Sequence, residues 1–380
     1  MYSRSICIQN YKSFFLFGPR GVGKSAWVSQ AFPKAIYIDL LRAQTHNELL
    51  ANPSRLEKMI PLHYKDWVVI DEVQKIPSLL DEVHHLIEKR KLAFVLTGSS
   101  ARKLKRSGTN LLAGRALTKK MFPLTVRELG DDFNLKKSLR WGHLPMAYTE
   151  NDPESYLHSY LKTYLKEEVL LEGLTRNIEA FSRFLEAASF SQAQYLNISQ
   201  VAADCHVERK SVTQYFSILE DLLLGYRLPI FTKRAKRELT KHPKFYFFDC
   251  GLYQTLRPRG PLDSPEEIDG PALETLVLQN LMAENEYHTW RYEFFCWNIS
   301  KGPDVDFVMY GPLGLIAFEI KRSDRIREGD LAGLLEFKKN YPIAKIFFIY
   351  GGTEQKITSD VQIIPVSSFL KELESFLHPI

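Results

Sequence analysis

Phe14-Phe15-Leu16-Phe17-Gly18-Pro19-Arg20-Gly21-Val22-Gly23-Lys24-Ser25 is the stretch on which the reading of this 380-residue chain turns. Four apolar residues suit a strand buried on both faces, and Gly18 to Ser25 spell G-x-x-x-x-G-K-S ahead of a segment that can be helical. Glycines let consecutive backbone N–H groups turn inward as an anion nest, and the following helix aims its positive end at the same spot. Lys24 can reach β- and γ-phosphates as a point charge, and Ser25 can ligate Mg²⁺. Gly18, Pro19, Arg20, Gly21, Val22, Gly23, Lys24, Ser25 and Ala26 are therefore the expected nucleotide-binding loop. The plainer alternative is a glycine-rich turn with a solvated lysine.

A second motif supports the first. Trp67-Val68-Val69-Ile70 reads as another doubly buried strand, and Asp71-Glu72 follow at its carboxyl end. Open α/β sheets hold their ligands at that end. Asp71 would hold Mg²⁺, directly or through water, and Glu72 would polarise an attacking water. The same two residues also suit a helix N-cap pair. A third strand, Leu92 to Thr97, runs into Gly98-Ser99-Ser100, which makes Thr97, Ser99 and Ser100 candidates for holding that water or sensing the γ-phosphate. A turn with a capped helix start would explain them equally well. Arg115, in Leu111-Leu112-Ala113-Gly114-Arg115, stands where ring-forming ATPases keep an arginine that reaches a neighbour's γ-phosphate. An ordinary surface salt bridge is the other reading.

Composition is that of a globular protein with two or three domains, 45% hydrophobic and 25% charged, with a formal net charge of +5. That charge is too small for a general polyanion binder. The basic clusters Arg102-Lys103-Leu104-Lys105-Arg106 and Lys233-Arg234-Ala235-Lys236-Arg237 read first as solvated faces. Apolar runs are too short to span a bilayer, and the N-terminus lacks a signal-peptide core. Cys7, Cys205, Cys250 and Cys296 are isolated, as expected of reduced thiols in a cytoplasmic protein rather than a disulfide or zinc framework.

Strands are expected at 14–17, 35–39, 67–71, 92–97 and 117–122, alternating with helical segments, so a parallel sheet covered by helices is expected. Residues 155–171 suit a helical lid or connector. Helices are then expected over 178–190, 199–203 with Ser199 as N-cap, and 209–224. The segments Leu228-Pro229-Ile230-Phe231 and Lys244-Phe245-Tyr246-Phe247-Phe248 would pair as a wing. In such a winged helix Glu208, Arg209, Lys210, Ser211, Thr213 and Gln214 would face DNA or a protein partner.

Near the C-terminus, Val305–Tyr310 and Leu315–Ile320 flank Gly311-Pro312-Leu313-Gly314. A symmetric hairpin sets Asp306 opposite Glu319 and Asp304 opposite Lys321 on one face, with Val305, Phe307 and Met309 on the other. Facing carboxylates repel, so a divalent cation or the nearby lysines must offset them. D…E-x-K is the arrangement of metal-dependent nucleases of the restriction-endonuclease fold. Asp306 and Glu319 are thus a candidate second metal site with Lys321, and Glu274, on an expected helix upstream, is a further candidate. A remnant held by Lys321 without metal is the alternative.

With these residues assembled, the chain resembles the prokaryotic AAA+-like ATPases that carry a C-terminal DUF4143 domain. The marks are GPRGVGKS at 18–25, VVIDEVQKIP at 68–77, LTGSS at 96–100, LAGRA at 112–116, FFDCGL at 247–252, and DVDFV with FEIKRS at 304–308 and 318–323. The resemblance implies an ATPase core over residues 1–130, a helical lid or connector over 131–177, a winged-helix segment over 178–248 and a nuclease-like α/β domain over 249–380. It implies ATP and Mg²⁺ as cofactors, with Gly21, Gly23, Lys24, Ser25, Asp71 and Glu72 at the ATP site. No clear sensor arginine is found in the lid. The expected activity is ATP hydrolysis that switches the winged-helix and C-terminal modules, with DNA and a second copy of the chain as candidate partners. An ATP-driven metal nuclease and a non-hydrolysing ATP-gated switch are the rival expectations.

Overall fold

Five parallel strands carry the N-terminal motifs: β1 (Ser13–Phe17), β2 (Ile36–Asp39), β3 (Trp67–Asp71), β4 (Ala93–Gly98) and β5 (Ala116–Lys120). They lie in the order β2-β3-β4-β1-β5. All five expected strands are present, within two residues of the expected ends. The computed structural model describes residues 2–8, 12–102, 104, 112–165, 177–232, 242–261, 263–299, 302–327, 329–358 and 360–377. Two units emerge: Ile6–Phe122 with Asp221–Leu223, and Met1–Ser5 with Pro123–Glu220 and Leu224–Ile380.

In the first unit, helix α1 (Lys24–Ala31) follows β1, and α2 (Leu79–Arg90) leads into β4. Strand alternation divides the core. Phe15 and Phe17 join Val68, Ile70, Phe94 and Leu96 on one face, covered by Leu79, Leu80, Val83 and Leu86 of α2. On the other face Phe14 and Phe32 pack against Trp67, with ring centroids 5.8 and 4.9 Å away, and Trp27 of α1 meets Phe32 edge-on. Both faces are dry, which is why β1 and β3 read as unbroken apolar runs.

The second unit includes α3 (Leu135–Trp141) and α4 (Pro153–Ser159). Over the expected helical segment 155–171, α4 passes at Tyr160 into a wider π-helix, Tyr160–Leu165, and residues 166–176 lie outside the described residues. Next come α5 (Ile178–Ser189), β6 (Gln194–Tyr195), α6 (Ile198–Cys205), α7 (Arg209–Asp221), β7 (Gly225–Leu228) and β8 (Lys244–Phe247). The N-cap of α6 is Asn197, whose side chain accepts from the Gln200 N–H at 3.1 Å, not Ser199. Asn is as good a cap as Ser, and here it sits one residue before the helix. The strand before β8 is Gly225–Leu228, not Leu228–Phe231, because Ile230 has already turned away to bridge Cys296. The sheet runs β6-β8-β7, antiparallel throughout. The basic cluster at 233–237 lies outside the described residues.

Helix α8 (Cys250–Leu256) is capped by Asp249, whose carboxylate accepts from the N–H groups of Gly251, Leu252 and His143 at 2.9, 3.1 and 2.7 Å. FFDCGL is thus a strand end, a cap and a helix start. Helix α9 (Pro265–Tyr287) opens on a capping box between Ser264 and Glu267, with Pro265 at its first position. A six-stranded mixed sheet follows, in the order β13-β14-β12-β11-β10-β9. Its strands are β9 (Glu293–Asn298), β10 (Asp304–Gly311), β11 (Gly314–Lys321), β12 (Lys345–Tyr350), β13 (Lys356–Thr358) and β14 (Val361–Pro365), with helix α10 (Ala332–Asn340) packed on it. No helix among the described residues is long and apolar enough to cross a membrane. The four cysteines are free.

Candidate functional site

The loop of Gly18–Gly23 leaves the carboxyl end of β1, where an open parallel sheet keeps its ligands. Gly21 and Gly23 have φ of 84° and 93°, values that a side chain disfavours, so the loop can wrap only with glycine there. Helix α1 starts at Lys24 directly after the second of them. Lys24 is buried, and its ammonium donates to the carbonyls of Gly18 at 2.7 Å and Pro19 at 3.1 Å. The charge is therefore folded inside the loop. Ser25 and Ala26 are exposed at the head of the helix, and Val22 is buried beneath the loop.

Asp71, at the tip of β3, gathers three hydroxyls. Ser25 Oγ donates to its Oδ2 at 2.9 Å, Tyr37 donates to the same oxygen at 2.5 Å, and Thr97 Oγ1 donates to its Oδ1. Thr97 also accepts the Glu72 N–H at 3.2 Å. Burial, then the bond to Asp71, raises the Tyr37 phenol well above its ordinary value. A hydroxyl and a carboxylate are hard oxygen donors of the kind that suit Mg²⁺, so Ser25 and Asp71 fit that ion. Lys24, Ser25, Asp71, Glu72 and Thr97 thus arrive together on neighbouring elements. The N-cap reading of Asp71 and Glu72 does not hold, since Glu72 precedes only a three-residue 3₁₀ turn and makes no side-chain cap bond to it.

Sequence reading missed Tyr37 and Gln74. Register could have found the first, because Asp39 pairs with Asp71 and puts β2 beside the site. Gln74 is buried and bonds to Glu72 Oε2 and, at 3.3 Å, to Ser99 Oγ. Among the described residues Ser100 accepts the Arg102 N–H at 3.4 Å, which is a turn role.

Arg115 does not join this constellation. It precedes Ala116, which pairs with Ser13 at the opposite end of β1 from the loop. Five residues of strand put roughly 16 Å between those ends. Its guanidinium instead pairs with exposed Glu88 on α2 and lowers that carboxyl's pKa. Within its own chain the salt-bridge reading is the one found. Of the first basic cluster, Arg102 pairs with Asp221, and residues 103 and 105–111 lie outside the described residues.

The C-terminal hairpin has the expected register: Phe307 pairs with Phe318 and Gly311 with Gly314, so Asp306 stands opposite Glu319. The expected division into an apolar and a charged face fails. A bulge against β9 between Val305 and Val308 breaks the alternation, and Val305, Val308, Leu315 and Ala317 share one core under α10. Asp306 and Glu319 are consequently buried. Asp306 is fully engaged, accepting from Lys244 Nζ at 2.9 Å and from the Ile320 N–H at 2.9 Å. Asp304 turns to Lys244 at 3.5 Å rather than to Lys321, which pairs with Glu319 at 2.6 Å. Glu274, on α9 as expected, accepts from Tyr246 at 2.7 Å.

Burial and the Asp306 charge push the Glu274 carboxyl up to about 8 and hold Glu319 well above the carboxylate range. Burial alone would lower the Lys244 pKa, but Asp306 and its neighbours outweigh it and raise it well above normal. A cavity of about 590 Å³ adjoins this cluster, with Glu274, Lys321, Arg257 and Arg327 in its wall. Among the described residues no three His, Cys, Asp or Glu side chains come together as a metal cluster.

Three family models match successive parts of the chain. Residues 10–130 match a family model described as AAA domain, 132–263 a domain of unknown function, DUF8612, and 269–369 a domain of unknown function, DUF4143. The uncharacterized protein Rv2008c of Mycobacterium tuberculosis is 25% identical over 381 residues, spanning 93% of this chain and 80% of that protein. An uncharacterized protein of Haemophilus influenzae is 21% identical over 267 residues, spanning 66% of this chain and 65% of that one. The crystal structure of VC1899 from Vibrio cholerae covers 97% of both chains at 11% identity, with a TM-score of 0.22, too low to bear on the fold. The chain thus carries an AAA-type domain over residues 10–130 and a DUF4143 domain over residues 269–369.

Proposed function

We propose that the chain binds ATP with Mg²⁺ in the Gly18–Ser25 loop, hydrolyses it, and couples nucleotide state to its C-terminal modules. The observation that carries this is the meeting of the Ser25 hydroxyl and the Asp71 carboxylate at 2.9 Å, beside a lysine folded into the loop. When bound, Mg²⁺ neutralises charge on the β- and γ-phosphates. Lys24 would swing from the Gly18 and Pro19 carbonyls to the phosphates, trading neutral acceptors for charged ones. Glu72 would take a proton from the water that attacks the γ-phosphorus, as the bond to the bridging oxygen breaks and ADP leaves. Thr97 would hold Asp71 and the Glu72 backbone in register. A Glu72→Gln protein should bind ATP and release phosphate about 100-fold more slowly or worse, the span of a general base. Unchanged phosphate release would remove Glu72 from the mechanism.

The order helix, strand, helix, helix, strand, strand over 178–247 supports a winged-helix reading, with Arg209, Lys210 and Thr213 exposed on α7. A DNA shift that weakens steeply with salt and with Arg209→Ala would support nucleic acid as its partner, and a salt-independent result would favour a protein. The hairpin and following strands are consistent with a nuclease-like fold. The pairing of Asp306 with Lys244 and of Glu319 with Lys321 favours a module that does not cleave. Mg²⁺- or Mn²⁺-dependent cleavage lost in Asp306→Ala would reverse that reading.

A further inference from the structure

We infer that Gln74 is the residue that positions Glu72 for hydrolysis, an inference that rests on Glu72 being the base. Glu72 has a backbone conformation rare for a residue with a side chain, φ 60° and ψ 44°. Its N–H is tied to Thr97, so the backbone is fixed and the aim of the carboxylate is left to its neighbours. The Gln74 amide supplies that aim. Its Nε2 donates to Glu72 Oε2 and to Ser99 Oγ, joining the end of β3 to the loop after β4.

Three further observations point the same way. Gln74 is 4% exposed, between Val73 and Ile76, which both pack in the core. An apolar residue would fill that space without the penalty of burying an amide. Gln74 Oε1 has no partner among the described residues, so the amide is held by its N–H end alone. Gly98 makes the placement possible, since a Cβ there would collide with Gln74 Oε1. The glycine of LTGSS and the glutamine of VVIDEVQKIP are thus halves of one fit. Because the donor is a neutral amide, it orients the carboxylate through Oε2 without supplying a proton.

The test compares steady-state ATP hydrolysis and calorimetric ATP binding in the full chain for wild type, Gln74→Met, Gln74→Glu and Glu72→Gln. Methionine keeps length and volume without the donor. In Q74M, kcat should fall at least about tenfold with the ATP Kd within about twofold, since misaiming a catalytic group acts on rate rather than on binding. In Q74E the amide donor is replaced by an acceptor of the same length that repels the Glu72 carboxylate, so kcat should fall at least as far as in Q74M, with the ATP Kd again within about twofold. That loss carries the test if Q74M fails to fold. An unchanged or increased kcat in Q74M, with E72Q inactive, overturns the role of Gln74 and leaves that of Glu72 intact. Hydrolysis undiminished in E72Q overturns both.

Discussion

Ser25 and Asp71 lie 46 positions apart in sequence, yet the hydroxyl of one donates to the carboxylate of the other at 2.9 Å. One rides on the first turn of α1 and the other on the tip of β3, with β4 between β1 and β3 in the sheet. The same carboxylate takes bonds from Tyr37 and Thr97. Four elements therefore fix one acidic group at the carboxyl edge of the sheet, and a cation seated there would meet donors already in place.

Replacing Asp71 with Asn keeps the shape and removes the charge. ATP affinity in the presence of Mg²⁺ should fall by about tenfold or more, while affinity in EDTA changes little, because the carboxylate acts through the cation. Tyr37→Phe removes only one of three hydroxyls and should have a smaller effect in the same calorimetric titrations. Equal losses with and without Mg²⁺ in Asp71→Asn would assign Asp71 to loop structure rather than to the ion.

Lys244→Ala should destabilise the second unit strongly. The pair with Asp306 is buried on both sides, at 5% and 7% side-chain exposure, and truncating one partner strands the other. Breaking such a pair costs about 3–5 kcal/mol. Lys244→Met with Asp306→Asn removes both charges and should recover much of the loss in urea denaturation. If the single variant unfolds at the wild-type midpoint, Asp306 has found another partner, and a cation would be the first to seek.

Acid stability should be shaped by two opposing groups. His143 is buried, its Nδ1–H donating to Leu124 O and its Nε2 accepting from Ser138, and burial lowers its pKa to about 4. Its contribution is complete above the unfolded value of about 6.5 and is lost as pH falls towards 4, about 3 kcal/mol in all. Asp249 behaves in the reverse sense. Burial raises its pKa to about 6, so its contribution is complete below about pH 3.8 and is lost as pH rises through 6. Between pH 4 and 6 the two slopes offset each other. Asp249→Asn should expose the His143 slope, and stability should then fall more steeply on acidification across that window. An unaltered slope in denaturant titrations would mean that Asp249 is ionised in the folded protein.

How far the sequence disclosed this depended on how local the signal was. The placement of the loop at 18–25 and of the acidic pair at 71–72 was legible because each follows an unbroken apolar run, the mark of a doubly buried parallel strand, so both fall at the carboxyl edge of the sheet. The hairpin register was legible because its turn is symmetric. Its burial was not, since a bulge between Val305 and Val308 and the cover of α10 are long-range facts. Lys244 is 62 residues from Asp306, and no local pattern links them. Gln74 was not legible, because only the approach of Gly98 and Ser99 from the neighbouring strand sets its surroundings. Arg115 matched a motif by position, but parallel register sets it at the wrong end of β1 for its own loop.

The most direct measurement is a calorimetric titration of the full chain with ATP and Mg²⁺, on wild type and on Lys24→Ala. Saturable binding at one site by the wild type, lost in Lys24→Ala without loss of fold, is the predicted result. A wild-type chain that takes up no nucleotide, or a Lys24→Ala chain that binds it as tightly, would contradict the reading of the Gly18–Ser25 loop as a triphosphate site.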